Sequence, residues 1–148
     1  MLTEFRLGAS SAADVAAHLR NCDATFVPAL SARVDLDEYA AKLTARALCF
    51  ETWDGVLLVG LVAVYATPGV EQAFVSNVSV LPDARGQRIA QTLMREAIDH
   101  VRGIGARRLK LEVGASNLAA VGLYTKLGFR ADDEPGPEAT MTTLTLGL

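Results

Sequence analysis

A strand, a glycine-containing turn and an amphipathic helix follow one another between residues 72 and 102, and this order constrains the fold more than any other feature. Apolar side chains recur at positions 89, 90, 93, 94, 97, 98 and 101, which is the spacing of one buried helix face. Gly103 and Gly105 end the helix, and residues 109–113 form another strand. A helix that connects two strands in this way places them parallel and adjacent in one sheet.

Two further helices are predicted before this unit. Ser10 or Ser11 can cap a helix that extends to about residue 20. Asp35 and Glu38 have the spacing of a capping box, which predicts a second helix that extends to about residue 46. The segment 21–34 between the two helices is rich in small polar residues and is expected to be irregular.

The middle of the chain has the pattern of a strand meander. Asp54-Gly55 lies between two apolar runs, which predicts a hairpin that joins strands 48–52 and 56–65. Further segments predict a strand at 5–7, a helix at 118–127 and a last strand at 140–146. This order predicts an α/β fold in three layers, with a mixed sheet of six to seven strands flanked by about four helices, and one domain that covers residues 1–148. Ligands of such sheets bind at the carboxyl ends of the strands.

Charge and hydropathy exclude two kinds of partner. The net charge of −3 and the pI near 5.3 argue against nucleic acid. The longest apolar run, residues 56–66, is about half of the ~20 residues that span a bilayer, so we expect no membrane partner. The first residues show no basic segment followed by an apolar stretch, which favours a cytoplasmic protein without a signal peptide.

The cysteines and histidines suggest neither a metal site nor a disulfide framework. Cys22 and Cys49 belong to no CxxC pair and lie near no histidine cluster, so free thiols are favoured over a disulfide. We expect His18 and His100 on the surfaces of their helices, and we expect no metal.

Arginines and a glycine occupy the turn before the long helix. The turn reads Arg85-Gly86-Gln87-Arg88-Ile89-Ala90. Backbone amides at a helix N-terminus, with the helix dipole, form a site for a phosphate group, and arginines add charge-assisted hydrogen bonds. From these residues alone, a plain strand–helix turn with solvated arginines stays an equally good reading.

Three side chains in the second half of this region are candidates for chemistry. Asn117 and Tyr124 lie at the start and the middle of the helix 118–127, and Glu112 lies on the strand before it. Each also has a structural reading: Asn117 as a helix cap, Tyr124 as a core aromatic residue, and Glu112 as a sheet carboxylate paired with a nearby Lys or Arg.

Together the two segments resemble the acetyl-CoA site of the GNAT (Gcn5-related) N-acetyltransferase superfamily. Residues 75–130 resemble the bacterial ribosomal-protein alanine acetyltransferases within it. The family's turn reads Arg/Gln-x-x-Gly-x-Gly/Ala, and Arg85, Ile89 and Ala90 match its register. Arg88 departs from the pattern, because the family usually has its second glycine there.

The resemblance implies acetyl-CoA as acyl donor and a role for each matched residue. Asn117 would hydrogen-bond the CoA arm, Tyr124 would protonate the departing thiolate, and Glu112 is the candidate base. The position of a glutamate base in some histone-type members is Phe74 here. The backbone of Val78 would stabilise the oxyanion and that of Val80 would pair with the pantetheine arm. The pyrophosphate would bind the turn formed by Arg85, Gly86, Gln87, Arg88, Ile89 and Ala90.

The resemblance also implies the reaction, in which an acetyl group moves to a primary amine by direct attack. In this fold the acceptor site is built by the first helices and the last strands, here residues 21–34 and 132–138, with Asp23, Ser31, Arg33 and Asp35 as polar candidates. Since residues 21–34 do not resemble the alanine acetyltransferases, we expect a small-molecule amine, such as an amino sugar or a polyamine-like metabolite.

Three alternatives to a small-molecule acceptor stay open. The acceptor can be a protein N-terminus or a lysine, or the chain can be a non-catalytic acyl-CoA-binding regulatory module. A homodimer through a sheet edge or the last strand is a further prediction, because edge strands invite pairing.

Overall fold

The computed structural model describes residues 3–26, 28–132 and 140–148. Within these residues it contains seven strands, four α-helices and three short 3-10 turns. The strands are β1 Glu4–Leu7, β2 Leu48–Asp54, β3 Leu57–Tyr65, β4 Gln72–Val80, β5 Arg108–Gly114, β6 Arg130–Ala131 and β7 Met141–Gly147. The helices are α1 Ala12–Cys22, α2 Leu36–Arg46, α3 Ile89–Gly103 and α4 Leu118–Lys126, and the 3-10 turns are Asp23–Thr25, Leu30–Ala32 and Pro82–Ala84.

All described strands form one mixed sheet in the order β1-β2-β3-β4-β5-β7-β6. The pair of β4 and β5 is parallel and adjacent, as the crossover helix predicts, and every other neighbouring pair is antiparallel. The parallel pairing is short: it begins at Gln72 and Arg108 and ends at Val75 and Leu111. Beyond these residues the two strands diverge and leave a gap in the middle of the sheet.

The alternation of side chains along β3 divides the core into the two halves of a three-layer fold. Leu61 and Ala63 belong to the apolar cluster under α1 and α2, whereas Val62 and Val64 belong to the cluster under α3 and α4. Successive strand residues point to opposite faces, so a strand buried on both faces is apolar throughout. The predicted α/β sandwich, with helices on both faces of the sheet, is therefore confirmed.

Local side-chain hydrogen bonds fix the helix starts close to their predicted positions. The Ser11 hydroxyl and the Asp14 side chain form a reciprocal capping box at α1. Asp35 accepts a hydrogen bond from the Glu38 amide at 3.0 Å and so begins α2. Between these helices, the segment predicted to be irregular contains the end of α1 and two 3-10 turns.

The structure differs from the predicted strands in two places. The hairpin loop is Gly55-Val56, because Asp54 still pairs with Leu57; Gly55 adopts a positive φ of 60° and Val56 is 95% exposed. The short strand β6 was not predicted, and it pairs with β7. Among the described strands β7 is not at an edge of the sheet, because it lies between β5 and β6.

The surface position predicted for His18 is wrong, since this residue is only 2% exposed. His100 is partly exposed and packs edge-on against Phe50, with 5.5 Å between ring centroids. Cys22 and Cys49 are free, as predicted, and burial raises the pKa of each thiol to about 11. In the described ranges, no helix has the length and apolar character of a bilayer span, and no cluster of three metal-ligating side chains occurs.

Candidate active site

The gap beside β4 exposes backbone groups that a ligand can use. The Leu81 amide donates to the Val59 carbonyl at 2.9 Å, so this pair belongs to the hydrogen-bonded pairs of the β3–β4 ladder. Because such pairs alternate along an antiparallel ladder, the peptide groups of Val78 and Val80 point away from β3. They face the region where β5 no longer pairs with β4, so both backbones are available to an extended ligand.

A β-bulge at Ser76 precedes this stretch. Ala63 pairs with Asn77 and Val64 pairs with Val75, which leaves Ser76 without a pairing residue on β3. The Tyr39 hydroxyl donates to the Ser76 carbonyl at 3.0 Å and lies 2.6 Å from the Ser76 hydroxyl. A bulge bends a strand and redirects the residues after it, and here α2 holds the bulge in place.

The turn between β4 and α3 exposes the amides of the helix start. Arg88 is the N-cap, and its carbonyl accepts hydrogen bonds from the Thr92 amide and hydroxyl, both at 3.0 Å. Gly86 has a φ of 83°, and Arg88 has a φ of 59°, the one positive value at a non-glycine residue in the described chain. A left-handed backbone favours glycine, whereas this chain has an arginine at position 88.

Asn117 caps α4, because its side-chain oxygen accepts a hydrogen bond from the Ala120 amide at 3.2 Å. The structural reading of Asn117 is therefore confirmed. Since the cap uses only the oxygen, the side-chain nitrogen can still donate to a ligand.

Tyr124 lies seven residues into α4 and is 6% exposed. Its ring packs edge-on against Phe129, with 5.9 Å between centroids, so it is a core aromatic residue as well as a candidate proton donor. Burial raises the pKa of Tyr124 to about 12. The phenol is therefore protonated across the physiological pH range.

Two cavities meet at the gap in the sheet. The first has a volume of about 520 Å³ and is lined by the turn before α3, the end of β4 and α4. The second has a volume of about 600 Å³ and is lined by β4, β5 and the segment between α1 and α2. The residues that line both are Thr25, Phe26, Val78, Asn117, Ala120 and Tyr124. A ligand in one cavity and a ligand in the other can thus approach each other beside Val78 and Tyr124.

The first cavity brings together most of the predicted donor-binding residues. Its lining includes Val78, Val80, Arg85, Gly86, Arg88, Ile89, Ala90, Asn117 and Tyr124. Gln87 does not line this cavity, although the residue interacts with other parts of the protein. The sequence-based prediction assigned the segment 21–34 to the acceptor site without singling out Thr25 or Phe26, and it missed Gln91, whose position at the start of α3 was an available signal.

The second cavity contains Glu112, which is exposed on β5 opposite Thr143. Among the described residues no Lys or Arg forms an ion pair with Glu112, so the structural reading of a paired sheet carboxylate is not observed. Arg33 and Tyr39 also line this cavity. The second cavity is therefore lined by the carboxylate of Glu112, the guanidinium of Arg33 and the phenol of Tyr39.

Other candidates for the acceptor site have local roles. The Asp23 carboxylate accepts hydrogen bonds from the Ser31 amide at 2.7 Å and the Ser31 hydroxyl at 2.6 Å, which lowers the pKa of Asp23. Asp35 caps α2, and none of these three lines either cavity. Asp132 bonds to Lys110 at 3.0 Å and to Thr145, whereas the rest of the predicted loop, residues 133–138, lies outside the described residues.

A family model described as "Acetyltransferase (GNAT) family" matches residues 14–129. The match covers most of the chain, so the chain belongs to the GNAT acetyltransferase family.

Curated relatives match about half of this chain. The ribosomal protein bS18-alanine N-acetyltransferase of Escherichia coli K12 is 39% identical over 72 residues, which are 47% of this chain and 49% of that protein. The streptothricin acetyltransferase of Streptomyces lavendulae is 36% identical over 72 residues, 49% of this chain and 38% of that protein. The mycothiol acetyltransferase of Corynebacterium glutamicum strain R is 37% identical over 78 residues, 52% of this chain and 26% of that protein. The chain thus spans half or less of the length of these relatives.

Solved structures share the fold over nearly the whole chain. The ribosomal-protein-S18-alanine N-acetyltransferase of E. coli superimposes with a TM-score of 0.75 at 22% identity, over 99% of this chain and 93% of that chain. The PaiA N-acetyltransferase of Thermoplasma acidophilum, solved in complex with coenzyme A, superimposes with a TM-score of 0.77 at 15% identity over all of both chains. At these identities the likeness shows the fold.

Proposed function

We propose that this protein is an acetyl-CoA-dependent N-acetyltransferase that moves an acetyl group to a primary amine by direct attack. The observation that carries the proposal is the pair of cavities that meet at Val78 and Tyr124 through the gap between β4 and β5. Two substrates that react without a covalent enzyme intermediate need such a meeting point. Both free cysteines are buried, and neither lines the first or the second cavity.

The first cavity fits coenzyme A in its chemistry. At one end, the amides of the α3 N-terminus and the guanidinium groups of Arg85 and Arg88 suit a pyrophosphate. Along the middle, the Val78 and Val80 backbones and the Asn117 side-chain nitrogen suit the amide groups of the pantetheine arm. Tyr124 lies where the arm would end, and Gly86, Gln87, Ile89 and Ala90 complete the proposed turn.

Val78 and Tyr124 divide the proposed chemistry between them. The amine nitrogen forms a bond to the thioester carbon, and the Val78 N–H stabilises the negative charge that develops on the oxygen. The carbon–sulfur bond then breaks, and Tyr124 donates its proton toward the departing thiolate. With its pKa raised to about 12, against about 8.5 for an ordinary thiol, Tyr124 acts mainly through a hydrogen bond that strengthens as sulfur becomes charged.

Glu112 is the proposed base. A lysine-like amine of pKa ~10.4 is only about 0.04% neutral at pH 7, so its proton must be removed before or during attack. Glu112 lines the second cavity and has no cationic partner among the described residues. It can collect the proton directly or through water.

We propose a small-molecule amine as acceptor, such as an amino sugar or a polyamine-like metabolite. The support is an acceptor cavity of about 600 Å³ whose walls come partly from the segment between α1 and α2, where the sequence does not resemble the alanine acetyltransferases. Relatives that are named as streptothricin acetyltransferase and mycothiol acetyltransferase also support a small-molecule acceptor. The match to ribosomal-protein alanine N-acetyltransferases favours a second candidate, a protein N-terminus.

Release of free thiol from acetyl-CoA tests the proposal. The purified chain is assayed with amino sugars, polyamines, lysine, and short peptides that begin with alanine, with Tyr124→Phe as the matched control. We expect amine-dependent thiol release by the wild type that falls at least ~100-fold in the control. Turnover of peptides alone would replace the small-molecule acceptor by the protein N-terminus. Binding of acetyl-CoA in calorimetry without turnover of any amine would support the non-catalytic module instead.

The cellular setting and the assembly stay predictions. A cytoplasmic protein of one domain is consistent with two free, buried thiols, and thiol counting after unfolding should find both. A homodimer is expected through β1, an edge strand on which Phe5 and Leu7 are each nearly half exposed. Light scattering that gives the monomer mass at high concentration would contradict the dimer.

A further inference from the structure

A buried histidine connects α1 to the strand that borders the gap, and the proposed chemistry does not use it. The Nδ1 atom of His18 lies 2.9 Å from the Leu58 carbonyl oxygen, and its Nε2 atom lies 2.8 Å from the Ser79 hydroxyl. The Ser79 hydroxyl lies in turn 2.7 Å from the side-chain amide of Asn77. A chain of polar contacts thus runs from β3 through α1 to β4.

The Ser79 hydroxyl connects His18 to Asn77. It donates to the Asn77 side-chain oxygen Oδ1 at 2.7 Å, and Nε2 of His18 contacts the Ser79 oxygen at 2.8 Å. Burial lowers the pKa of His18. The Cys22 sulfur, 3.7 Å from Nε2, is the other polar neighbour of the ring.

These polar contacts hold a part of β4 that is not paired with β5. After Val75 the strand no longer pairs with β5, and the bulge at Ser76 interrupts its ladder with β3. Asn77 and Ser79 flank Val78 and point to the same face, where both are nearly fully buried. Their side chains are therefore fixed on both sides of Val78, and the peptide plane that carries the Val78 N–H is fixed with them.

We propose that His18 is a positioning residue that, through Ser79, aims the Val78 N–H at the thioester oxygen. The inference rests on the proposed function. His18 lines neither cavity, whereas Ser79 lines the first and Asn77 lines the second, so His18 acts through these residues. A displacement of about 1 Å in a reacting group costs on the order of 10²-fold in rate, and a strand segment with one missing neighbour needs such support.

Two amide substitutions at position 18 separate positioning from simple stability. His18→Gln places its amide near the Nε2 position and can keep a hydrogen bond to the Ser79 oxygen, but it loses the Leu58 contact. His18→Asn places its amide near the Nδ1 position and can donate to Leu58, but it loses the contact with Ser79. Each variant loses one hydrogen bond at the same buried site, so we expect similar decreases in thermal stability.

The expected results differ in kcat. His18→Asn should lower kcat by about 10- to 100-fold, and His18→Gln should retain kcat within about threefold. The KM for acetyl-CoA should change less than about threefold in both, because most donor contacts lie in the turn before α3. If the two variants have equal kcat, whether retained or reduced, the role of His18 is structural and the inference is wrong.

Two further measurements keep the test decisive. If His18→Asn does not fold, Ser79→Ala removes the same contact and leaves the His18–Leu58 hydrogen bond; a normal kcat for Ser79→Ala overturns the inference. Backbone hydrogen exchange at Val78 should be faster in His18→Asn than in His18→Gln. Equal exchange rates would contradict the positioning of Val78 by His18. Absence of turnover in the wild type would instead refute the proposed function. The exchange measurement would then still test whether His18 positions Val78.

Discussion

Replacement of Arg88 by glycine separates two effects that this residue combines, backbone strain and charge. Arg88 caps α3 with a φ of 59° and a ψ of 27°. The left-handed conformation costs an L-residue about 1–2 kcal/mol, whereas glycine adopts it freely but loses roughly 0.5–1 kcal/mol more entropy on folding. We therefore expect Arg88→Gly to stabilise the fold by about 0.5–1 kcal/mol, which raises the Tm of a 148-residue domain by about 1–4 °C.

The same substitution should weaken acetyl-CoA binding. The Arg88 side chain is exposed and lines the first cavity beside Arg85. A charge-assisted hydrogen bond to phosphate contributes about 1.5–3 kcal/mol, which corresponds to a roughly 10- to 150-fold increase in Kd. Stability and affinity should thus change in opposite directions.

Two control variants separate the effect of the charge from the effect of the backbone strain. Arg88→Ala removes the guanidinium but keeps a Cβ at the left-handed position, so it should lose the same affinity without the gain in Tm. Arg95→Ala removes an exposed arginine of α3 that lines neither cavity, and it should bind normally. Calorimetry and thermal unfolding provide the data. Tighter binding by Arg88→Gly would show that Arg88 crowds the turn, and equal Tm values for the glycine and alanine variants would refute the strain argument.

Three other variants test the remaining residues. Tyr124→Phe keeps the ring packing against Phe129, so stability should change by less than about 0.5 kcal/mol while kcat falls by about 10²–10⁴-fold; full kcat with chemistry rate-limiting would disprove the assigned role. Glu112→Gln should flatten the acidic limb of the kcat/KM profile, and an unchanged profile would assign the base to water. His18 has a lowered pKa in the folded state, so the unfolded chain binds more protons and the free energy of unfolding should decrease as the pH falls below about 6.5. In His18→Gln this decrease should become smaller, as denaturant titrations at several pH values can measure.

Features that depend on a few neighbouring residues agree with the sequence-based predictions. The caps at Ser11, Asp35 and Asn117 each use a hydrogen bond to a residue three positions away, so a short sequence window contains both partners. The parallel pair of β4 and β5 was predicted because any right-handed crossover through an amphipathic helix produces it. The hairpin loop differs from the prediction, since β2 continues for two residues beyond position 52 and Trp53 and Asp54 pair with Leu58 and Leu57.

Features that depend on distant residues were missed. The contacts of His18 are with residues 40 and 61 positions away, and its place on α1 gives no sign of them. The two residues of β6 have no strand pattern of their own and become a strand only because β7 lies beside them. Phe26 lines both cavities, but it belongs to a segment without regular periodicity.

The sequence by itself determined the layered α/β fold, the family to which the chain belongs, and the set of candidate residues at positions 78–90, 112, 117 and 124, because their spacing reflects turns and caps with both partners close in the chain. Only the tertiary structure decided that two cavities meet at Val78 and Tyr124, that Arg88 has a left-handed backbone, and that His18 contacts Ser79 of β4. These features arise where separate elements pack against one another, and the distances that define them depend on the whole sheet and its helices at once.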